Sequence, residues 1–533
     1  MNTLRDQQTS LGRSLGAHLF GLFIFLFLSW AINAQAETSL TALIDPEPVE
    51  TLTLSEAVIR ALKQNLDITV SRQARDVRIT DIMLQQAIFD PTVELSGRYD
   101  RNVRPLNRPI FGFGGVLIGS EPDNIDQNDL SMRLGLNQKI RTGGQLDFAF
   151  DSKRNSVAGS TSFLFNPSYT NSLSVNLTQP LLRNFGPAIN ETPIHIARHA
   201  ATSEHYVFVQ QVLLVINNVE QAYWELVFVR EDEKVAKSAL KAAQELLAAN
   251  RAKVKAGVMA NVEVLQAQAG VASRVEQILI AQKAVHDQED QLRQLFSPSE
   301  EELSQNIAVV ATDTPTQEAN PHKLKHAITK ALKQHPEILQ AQKSLETGTL
   351  NTRLAKNQLL PSLALEGGLG LSGLGRGVRD SLDRTTSSDF YNMGAGLILS
   401  YPLGNRSAQS QYNRRVLEAN QATATLHRIR QQVIIDTKEA DRRVRTDFKR
   451  IRTTQTARAL AERQLSSEQE RLQLGLSTTR AVLEFQSDLA IARGKEQRAI
   501  VDYNQSLANL RRMTASTLDE YHIVLQEIDF LKN

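Results

Sequence analysis

The chain has no cysteine, few aromatic residues and no large excess of either charge. The absence of cysteine among 533 residues excludes a disulfide framework and any thiolate metal site. Aromatic residues make up only 6%, which is low for a chain of this length with a large globular core. A formal net charge of +2 supplies no strong basic field for nucleic acid. The length allows two or more ordinary domains or one very elongated one.

Long apolar runs are absent after the first forty residues. That first segment combines Arg5 and Arg13 with the apolar stretch HLFGLFIFLFLSWAI (18–32) and a small-x-small cleavage motif, AQA (34–36). Its apolar core of about 14 residues is shorter than the ~20 that a membrane-spanning helix needs. We therefore expect residues 1–36 to be a cleaved secretory signal, and any later membrane span to consist of β-strands.

The sequence repeats itself after 270 residues. ALKQNLDI (61–68) returns as ALKQHPEI, and the same offset aligns 54–97 with 324–367 without gaps. Pro336 predicts a fresh start or kink in the second copy, because proline disrupts a helix interior. The first copy has Leu66 there and is predicted to run through.

Two later landmarks recur in the same order in both halves. They are QPLLRN (179–184) with YPLGNR (401–406), and KAGVMANVEVLQAQ (255–268) with QLGLSTTRAVLEFQ (473–486). One structural unit is therefore present twice.

The predicted organisation has two repeats with short flanking segments. In chain order these are a signal peptide (1–36), an N-terminal segment (37–53), the first repeat (54–296), an equatorial linker (297–321), the second repeat (322–513) and a C-terminal segment (514–533). The linker is rich in proline, asparagine and acidic residues, which is typical of connecting segments.

Each repeat opens with a helical pattern and continues with strands. In the first repeat the helix covers 54–89, Ser55 is a candidate cap, and Pro91 ends the helical stretch. Strict alternation then predicts four strands within 92–181 and two within 362–401, each of ~9–12 residues, the length of a tilted membrane strand. A soluble β-sandwich is the alternative, but it does not suit strands placed between very long helices.

The alternating strands have one apolar face. We expect this face to contact outer-membrane lipid through Leu134, Leu136, Phe148, Phe150, Leu173, Val175, Leu397 and Leu399. One strand connection is a tight turn at Gly143-Gly144, whereas the other connections are long and polar. Outer-membrane barrels have short periplasmic turns and long external loops, so the helices are expected on the periplasmic side.

Two long stretches, 190–256 and 407–474, are rich in strong helix formers. The second contains neither proline nor glycine, and the first contains only Pro193, close to its start, where a helix tolerates proline. About 68 helical residues make a rod of roughly 100 Å. Gly257 and Gly475 end these rods, and a helix of about half that length follows each. One long helix can therefore run antiparallel to two half-length helices stacked end to end.

The order of these features resembles the TolC family of outer-membrane efflux and secretion ducts. The resemblance rests on the duplicated unit, the strand starts FDPTVEL and LLPSLAL, the strand ends QPL and YPL, and the hairpin AGV…VEVLQAQ. It covers nearly the whole mature chain. It implies a mainly α fold with membrane β-structure: a homotrimeric α-helical periplasmic tunnel joined to a transmembrane β-barrel. The implied function is a passive exit duct of a tripartite efflux or type I secretion system, with a periplasmic adaptor and an inner-membrane pump as partners.

The number of barrel strands is open. Members of the family usually contribute four strands per chain, whereas this sequence has six candidates. If all six enter the wall, a trimer has 18 strands. If the hairpin 129–154 is an external or folded-in excursion, the trimer has 12, and the family pattern favours this smaller barrel.

The resemblance also implies functional positions at the hairpin tips. Contact with the adaptor is expected at Ala256, Gly257, Val258, Leu474, Gly475, Leu476 and Ser477, although the two glycines could simply reverse the chain. The positions that line the periplasmic aperture correspond to Glu263, Leu472, Ala481 and Glu484. Members of the family often have a ring of carboxylates at this aperture, and only part of that ring is present in this chain. We therefore expect the closed state to rely on apolar contact at Leu472, Leu474 and Leu476.

No arrangement of residues indicates catalysis, a cofactor or bound nucleic acid. His195 and His199 have the spacing of two metal ligands on a helix, but no third ligand is evident, and a surface pair is the better interpretation. We predict that the protein is not an enzyme and has no metal or cofactor. An elongated coiled-coil surface protein, such as an adhesin stalk, is the alternative to a duct.

Overall fold

The computed structural model describes residues 49–525 apart from short gaps. The gaps are 107–109, 112, 115–116, 120–122, 159–162, 298, 306 and 320–322. The predicted signal peptide (1–36) lies outside the described residues, as do most of the N-terminal segment and the end of the C-terminal segment.

The described helices follow the predicted order twice. The first half contains α1 (Leu54–Gln64), α2 (Leu66–Gln86), α3 (Pro187–Asn190), α4 (Thr192–Lys255), α5 (Asn261–Gln294) and α6 (Glu300–Ser304). The second half contains α7 (Leu324–Gln334), α8 (Pro336–Asn357), α9 (Val378–Thr386), α10 (Arg406–Gln473), α11 (Thr479–Met513) and α12 (Thr517–Glu520). The mainly helical, duplicated fold is thereby confirmed.

Both opening helices break at the same repeat position. Asn65 separates α1 from α2, and His335 separates α7 from α8, each with extended backbone. The Asn65 carboxamide oxygen accepts from Ile68 N–H at 3.1 Å, and its amide donates to the Leu295 carbonyl at 2.9 Å. The prediction that the first copy runs through was wrong, because a capping asparagine starts a new helix as effectively as a proline does.

The first helix begins at Leu54, as predicted, but its capping residue differs from the prediction. Thr53, rather than Ser55, is its cap. The Thr53 hydroxyl accepts from Glu56 N–H at 3.2 Å, and Thr53 N–H donates to the Glu56 carboxylate at 3.0 Å. This reciprocal pair is a capping box, which satisfies two backbone donors at the helix start.

Two unbroken helices set the length of the helical region. α4 has 64 residues and α10 has 68, or roughly 100 Å each. Near the sheet the helices lie side by side in the order α2, α4, α8, α10, and farther away in the order α5, α4, α11, α10. Each long helix therefore packs against half-length helices stacked end to end, as the helix lengths predicted.

Ten strands are described, and six of them form one antiparallel sheet. The strands are β1 (Val49–Leu52), β2 (Thr92–Leu106), β3 (Ile110–Phe111), β4 (Leu117–Gly119), β5 (Asp123–Lys139), β6 (Gln145–Ala158), β7 (Ser168–Pro180), β8 (Ala308–Ala311), β9 (Ser362–Gly375) and β10 (Tyr391–Ser400). The order in the large sheet is β10-β9-β7-β6-β5-β2. The alternative in which the hairpin 129–154 leaves the sheet is wrong, because residues 126–137 of β5 are paired on both sides.

The strands extend beyond their apolar segments. β2 and β5 stay paired out to Leu106 and Asp123, well past the alternating apolar residues. An ion pair between Arg101 and Asp126, 2.6 Å apart, joins the two strands in this region. Polar cross-strand pairs continue the ladder there, so hydrophobic alternation alone underestimates the strand length.

Helix α9 packs on β7 and β9 near the end of the sheet that is remote from the long helices. The Ser381 hydroxyl accepts from Asn171 N–H at 2.9 Å and donates to the Gly373 carbonyl at 2.7 Å. Gly373 is required here, because a Cβ atom would collide with the Ser381 carbonyl. The long polar connection 372–389 is therefore an ordered cap rather than an irregular loop.

The chain ends and the linker meet at the middle of the helical region. β1 pairs in parallel with β8, so the linker contributes a helix and a strand instead of being irregular. The Tyr223 hydroxyl lies 2.9 Å from an Asp313 carboxylate oxygen and accepts from Asp313 N–H at 3.1 Å. The largest core surrounds this point and includes Leu52, Val58, Ile68, Val212, Ile216, Leu226 and Leu292.

Among the described helices, only α4 is long and apolar enough to cross a membrane. The core helix of a soluble protein can have the same length and composition, and 56% of the most apolar segment of α4 is buried within the chain. The many buried residues of α4 face its neighbours in the helical layer. The observed packing therefore accounts for its apolar composition.

His335 gives a test of the repeat break. Burial lowers its pKa, opposed by Glu337 and Asp436 and reinforced by Arg512. Its contribution to stability is therefore present at neutral pH and is lost as the pH falls through its unfolded value of about 6.5. We expect the thermal midpoint to fall between neutral pH and about pH 5. The variant His335→Asn, which introduces the residue of the first repeat, should reduce that fall. An identical pH dependence of circular-dichroism melts in both proteins would contradict this role.

Candidate functional site

The first hairpin tip joins α4 to α5 through a glycine with a left-handed backbone. Gly257 has φ +76°. Its N–H donates to the Val254 carbonyl at 2.9 Å, and Val258 N–H donates to the Lys253 carbonyl at 3.0 Å. This is a Schellman ending, which satisfies carbonyls at the end of a helix and favours glycine.

The second tip, between α10 and α11, has the same geometry. Gly475 has φ +74°. Its N–H donates to the Leu472 carbonyl at 3.3 Å, and Leu476 N–H donates to the Arg471 carbonyl at 2.8 Å. Both glycines therefore do reverse the chain, and each tip holds its neighbouring side chains in the same arrangement.

The tips present apolar side chains to solvent. Val258 and Leu474 are each 75% exposed, and Leu476 is 66% exposed. Ala256 and the two glycines are also exposed, whereas Ser477 is half-buried and donates to the Glu468 carboxylate. Grouped apolar side chains at the end of a polar helical hairpin are typical of a protein contact surface.

A buried polar link joins the two hairpins just behind the tips. The Glu263 carboxylate accepts from Thr479 N–H at 2.9 Å, at the start of α11. The Asn250 amide of α4 donates to the Thr479 hydroxyl at 2.8 Å and to the Glu263 carbonyl at 3.3 Å. Asn250 and Thr479 are almost fully buried, at 1% and 0% exposed. A carboxylate at a helix N-terminus is stabilised by the unpaired N–H groups there.

The four residues predicted at the aperture lie at the same end of the helices but differ in environment. Leu472 and Ala481 are half-buried, and Glu484 is exposed. Glu263 is engaged with Thr479, so its carboxylate serves a contact within the chain. The structure thus separates the two acidic residues: one holds the hairpins together and one is accessible.

Sequence reasoning missed Asn250, Thr479 and Glu468. The available signals were weak: a single asparagine in an alanine-rich helix and a Thr-Thr pair at the start of α11. Thr478 caps α11 by accepting from Ala481 N–H at 3.3 Å. Sequence spacing shows the cap, but it does not show that the next residue meets another hairpin.

The eight residues predicted to face lipid lie on one face of the large sheet. Ladder partners share a face, and these partners are Leu134 with Phe150, Phe150 with Leu173, Leu136 with Phe148, Phe148 with Val175, and Leu397 and Leu399 with Leu365 and Leu363. The other face is polar and carries the ion pair between Arg133 and Asp151 at 3.3 Å. One apolar band therefore crosses all six strands.

Within the described part of the chain, no three His, Cys, Asp or Glu side chains are placed to hold a metal ion. His199 Nε2 lies 3.5 Å from a Glu346 carboxylate oxygen, and its Nδ1 lies 3.5 Å from the Thr347 hydroxyl. Burial lowers the pKa of His199. This histidine thus contacts α8.

Replacing Glu263 tests the link behind the tips. We expect Glu263→Ala to speed hydrogen exchange of the Thr479 amide at least ~10-fold, because that amide loses its acceptor. Glu484→Ala, which changes an exposed carboxylate on α11 itself, is the matched control and should leave that rate unchanged. Equal exchange rates in both variants would show that Glu263 does not join the hairpins.

Comparison with known proteins agrees with this architecture. The sequence profile of the family described as "Outer membrane efflux protein" matches residues 145–297 and 327–516, well over half of the chain. Outer membrane protein TolC of Vibrio cholerae is 23% identical over 356 residues, covering 66% of this chain and 78% of the relative.

Two solved structures share the fold. The CmeC outer membrane channel of Campylobacter jejuni has a TM-score of 0.62 at 17% identity, over 90% of this chain and 88% of that one. The outer membrane protein VceC of Vibrio cholerae has a TM-score of 0.61 at 15% identity, over 86% and 95%. The chain belongs to the outer membrane efflux protein family, and it is an outer-membrane exit duct of the kind used in tripartite efflux.

Proposed function

We propose that three copies of the chain close side by side into a tube that conducts substrate passively. The first support is an unpartnered apolar stripe on α2. Leu66, Val70, Val77 and Leu84 are 60%, 65%, 59% and 68% exposed. Their spacing puts them along one side of the helix. Such a stripe at the edge of a helical layer is suited to packing against another helix.

The second repeat indicates what covers this stripe. The residues equivalent to Val70 and Val77 are Gln340 and Thr347 of α8. Gln340 donates to the Gln210 side chain of α4 at 3.0 Å, and Thr347 lies 3.5 Å from His199 of α4. The long helix of the first repeat thus covers α8, so by the same relation α10 of a neighbouring copy covers α2. Apolar side chains are available on α10, where Leu417 is 67% exposed.

Three copies give a tunnel of suitable size. Each copy supplies four helices at every level, so three supply twelve. At 8–10 Å between neighbours, twelve helices form a ring roughly 35 Å across between axes, which leaves an open lumen. Two similar repeats in three copies make six near-equivalent wall segments.

The two ends of this tube indicate how it is oriented in the cell envelope. The apolar band of the sheet suits outer-membrane lipid, and the tips lie roughly 100 Å away at the other end of α4 and α10. We propose that the tips contact a periplasmic adaptor, which connects the duct to an inner-membrane pump of an efflux or type I secretion system. The exposed apolar side chains of the two similar tips are the observation that carries this assignment. The energy for transport comes from the pump.

At the closed aperture, apolar contact holds the tips together. Leu472, Leu474 and Leu476 lie around the second tip, and the only freely exposed carboxylate of the predicted aperture set is Glu484. We propose that the leucines of three copies meet across the axis, and that the adaptor opens the aperture by covering them instead.

Single-channel recording in planar bilayers tests both conduction and closure. We expect the purified protein to form channels, and Leu472→Ser to raise the resting conductance several-fold by weakening apolar contact. Glu484→Ala should have a smaller effect. No channel activity at all would favour the stalk alternative. An unchanged Leu472→Ser channel beside a more conductive Glu484→Ala channel would contradict apolar closure.

Charge at the tips tests adaptor docking. We expect Val258→Asp and Leu474→Asp to abolish complementation of a strain that lacks this chain, measured as growth with a panel of toxic compounds. The variant proteins should still reach the outer membrane in normal amounts. Phe113→Asp, at the opposite end of the molecule, alters an apolar side chain that is even more exposed and should complement fully. Full complementation by both tip variants would exclude these side chains from docking.

A further inference from the structure

The large sheet has two free edges within one chain. β2 and β10 each have a ladder partner on one side only. Every residue of β10 is exposed, as are residues 92–99 of β2. Unpaired strand edges are not tolerated in the hydrocarbon region of a membrane, and six strands are too few to close on themselves. Each edge therefore needs another strand.

The chain contains a template for this missing contact. β7 is the outgoing strand of the first repeat, because it leads to the long helix α4. β9 is the incoming strand of the second repeat, because it follows α8. These two strands pair antiparallel, with Thr178 opposite Glu366 and Pro180 opposite Ala364. They form the seam between the repeats.

Both partners in this seam have equivalents at the free edges. The offset of 270 residues makes β2 the equivalent of β9, so Ser96 corresponds to Glu366. The landmarks QPLLRN and YPLGNR make β10 the equivalent of β7, so Ser400 corresponds to Thr178. The missing contact therefore has the same kind of outgoing and incoming strands as the observed seam.

We infer that β10 of each copy pairs antiparallel with β2 of the next copy in the register of this internal seam, with Ser400 opposite the neighbour's Ser96. With the ring of three copies proposed above, on which this inference rests, six strands per copy close a barrel of 18 strands. The barrel is larger than one built from four strands per copy. Its seams between copies are formed by the outer edges of β10 and β2, which have no ladder partner within a single chain.

The direction, side-chain face and length of the strands all permit this pairing. Six antiparallel strands make β2 and β10 run in opposite directions, as the seam requires. The register places Leu397 opposite Tyr99 on the apolar face, and Ser400 opposite Ser96 on the polar face. It extends to Tyr391 opposite Pro105, so it uses the full length of β10 and stays within β2. No side chain changes face.

The register also determines the tilt of the strands. Ladder partners lead across the sheet from Leu95 to Leu134, Phe150, Leu173, Leu371 and finally Tyr391. Because Tyr391 of one copy then pairs with Pro105 of the next, the strand register shifts by about ten residues for each copy. Three copies give a total shift of about 30 residues around the 18 strands. With a rise of ~3.3 Å and a spacing of ~4.8 Å, the tilt is about 49°. If the strand ends were level, with Ser400 opposite Thr92, the tilt would be about 35°.

An 18-stranded wall has a consequence for the duct. At this tilt and strand spacing, the backbone cylinder is about 40 Å across, compared with about 28 Å for 12 strands. Barrels of 16–18 strands enclose an aqueous channel. The outer-membrane section is then about as wide as the helical tunnel. The narrowest parts of the duct therefore lie at the tips and the external segments.

Disulfide trapping tests the seam directly, because the chain has no cysteine of its own. The two positions lie at opposite edges of the sheet in one chain, separated across the strands by five spacings of ~4.8 Å, or about 24 Å, so a bond between them must join two copies. We expect Ser96→Cys with Ser400→Cys to give covalent trimers on a non-reducing gel, which return to monomers on reduction. Ser96→Cys with Gly396→Cys is the matched control for the level register. Its glycine has open space for a side chain.

Covalent trimers with the control pair alone, or no bond between copies with either pair, would overturn the inference. Trapping that ends at covalent dimers or tetramers would instead overturn the ring of three, while leaving the seam intact. Should the double variants fail to reach the membrane, cryo-electron microscopy of the unsubstituted assembly in a nanodisc decides the question. A wall of 18 strands supports the inference, and a wall of 12 refutes it.

Discussion

The long helices α4 and α10 determine where every other part of the chain can lie. Each satisfies its own backbone hydrogen bonds over 64 or 68 residues, so each can extend from the sheet to a tip without support from a globular core. The half-length helices pack along them in two tiers. The small parallel pair β1–β8 and the largest apolar core lie where the tiers meet. The largest apolar core thus lies at the middle of the rods, far from the tips.

Because the chain contains two similar repeats, the contact between them indicates how neighbouring copies fit together. The contact between the first repeat and the second, seen in α4 with α8 and in β7 with β9, has the same form as the contact needed between copies. A wall built from one repeated relation closes only when the last unit meets the first. The exposed apolar stripe of α2 and the unpaired edge of β2 lie on the same side of the chain, so one interface covers both.

The two repeats diverge where function is expected. Their tips share the same glycine geometry, but Glu263 of the first hairpin reaches the N-terminus of α11 in the second, and the reverse contact does not occur among the described residues. Behind the tips, Asn250 and Thr479 make that contact buried and specific. An asymmetric link of this kind joins the two hairpins of one copy.

Element types, their order and the duplication were all predictable from the sequence, because helix and strand periodicity are local properties. The rods between 190–256 and 407–474, the breaks at Gly257 and Gly475, and the apolar faces of the strands follow from this periodicity. Capping was predicted less well, since Asn65 and Thr53 act through hydrogen bonds that many sequences could make.

Only the tertiary structure decided which distant segments meet. It put β5 and β6 inside the sheet, turned the linker into a partner of β1, and brought Glu263 to Thr479. The physical reason is that strand pairing and buried polar contacts depend on register between segments far apart in the chain. The sequence by itself determined the parts and their lengths, and the tertiary structure decided how those parts are joined.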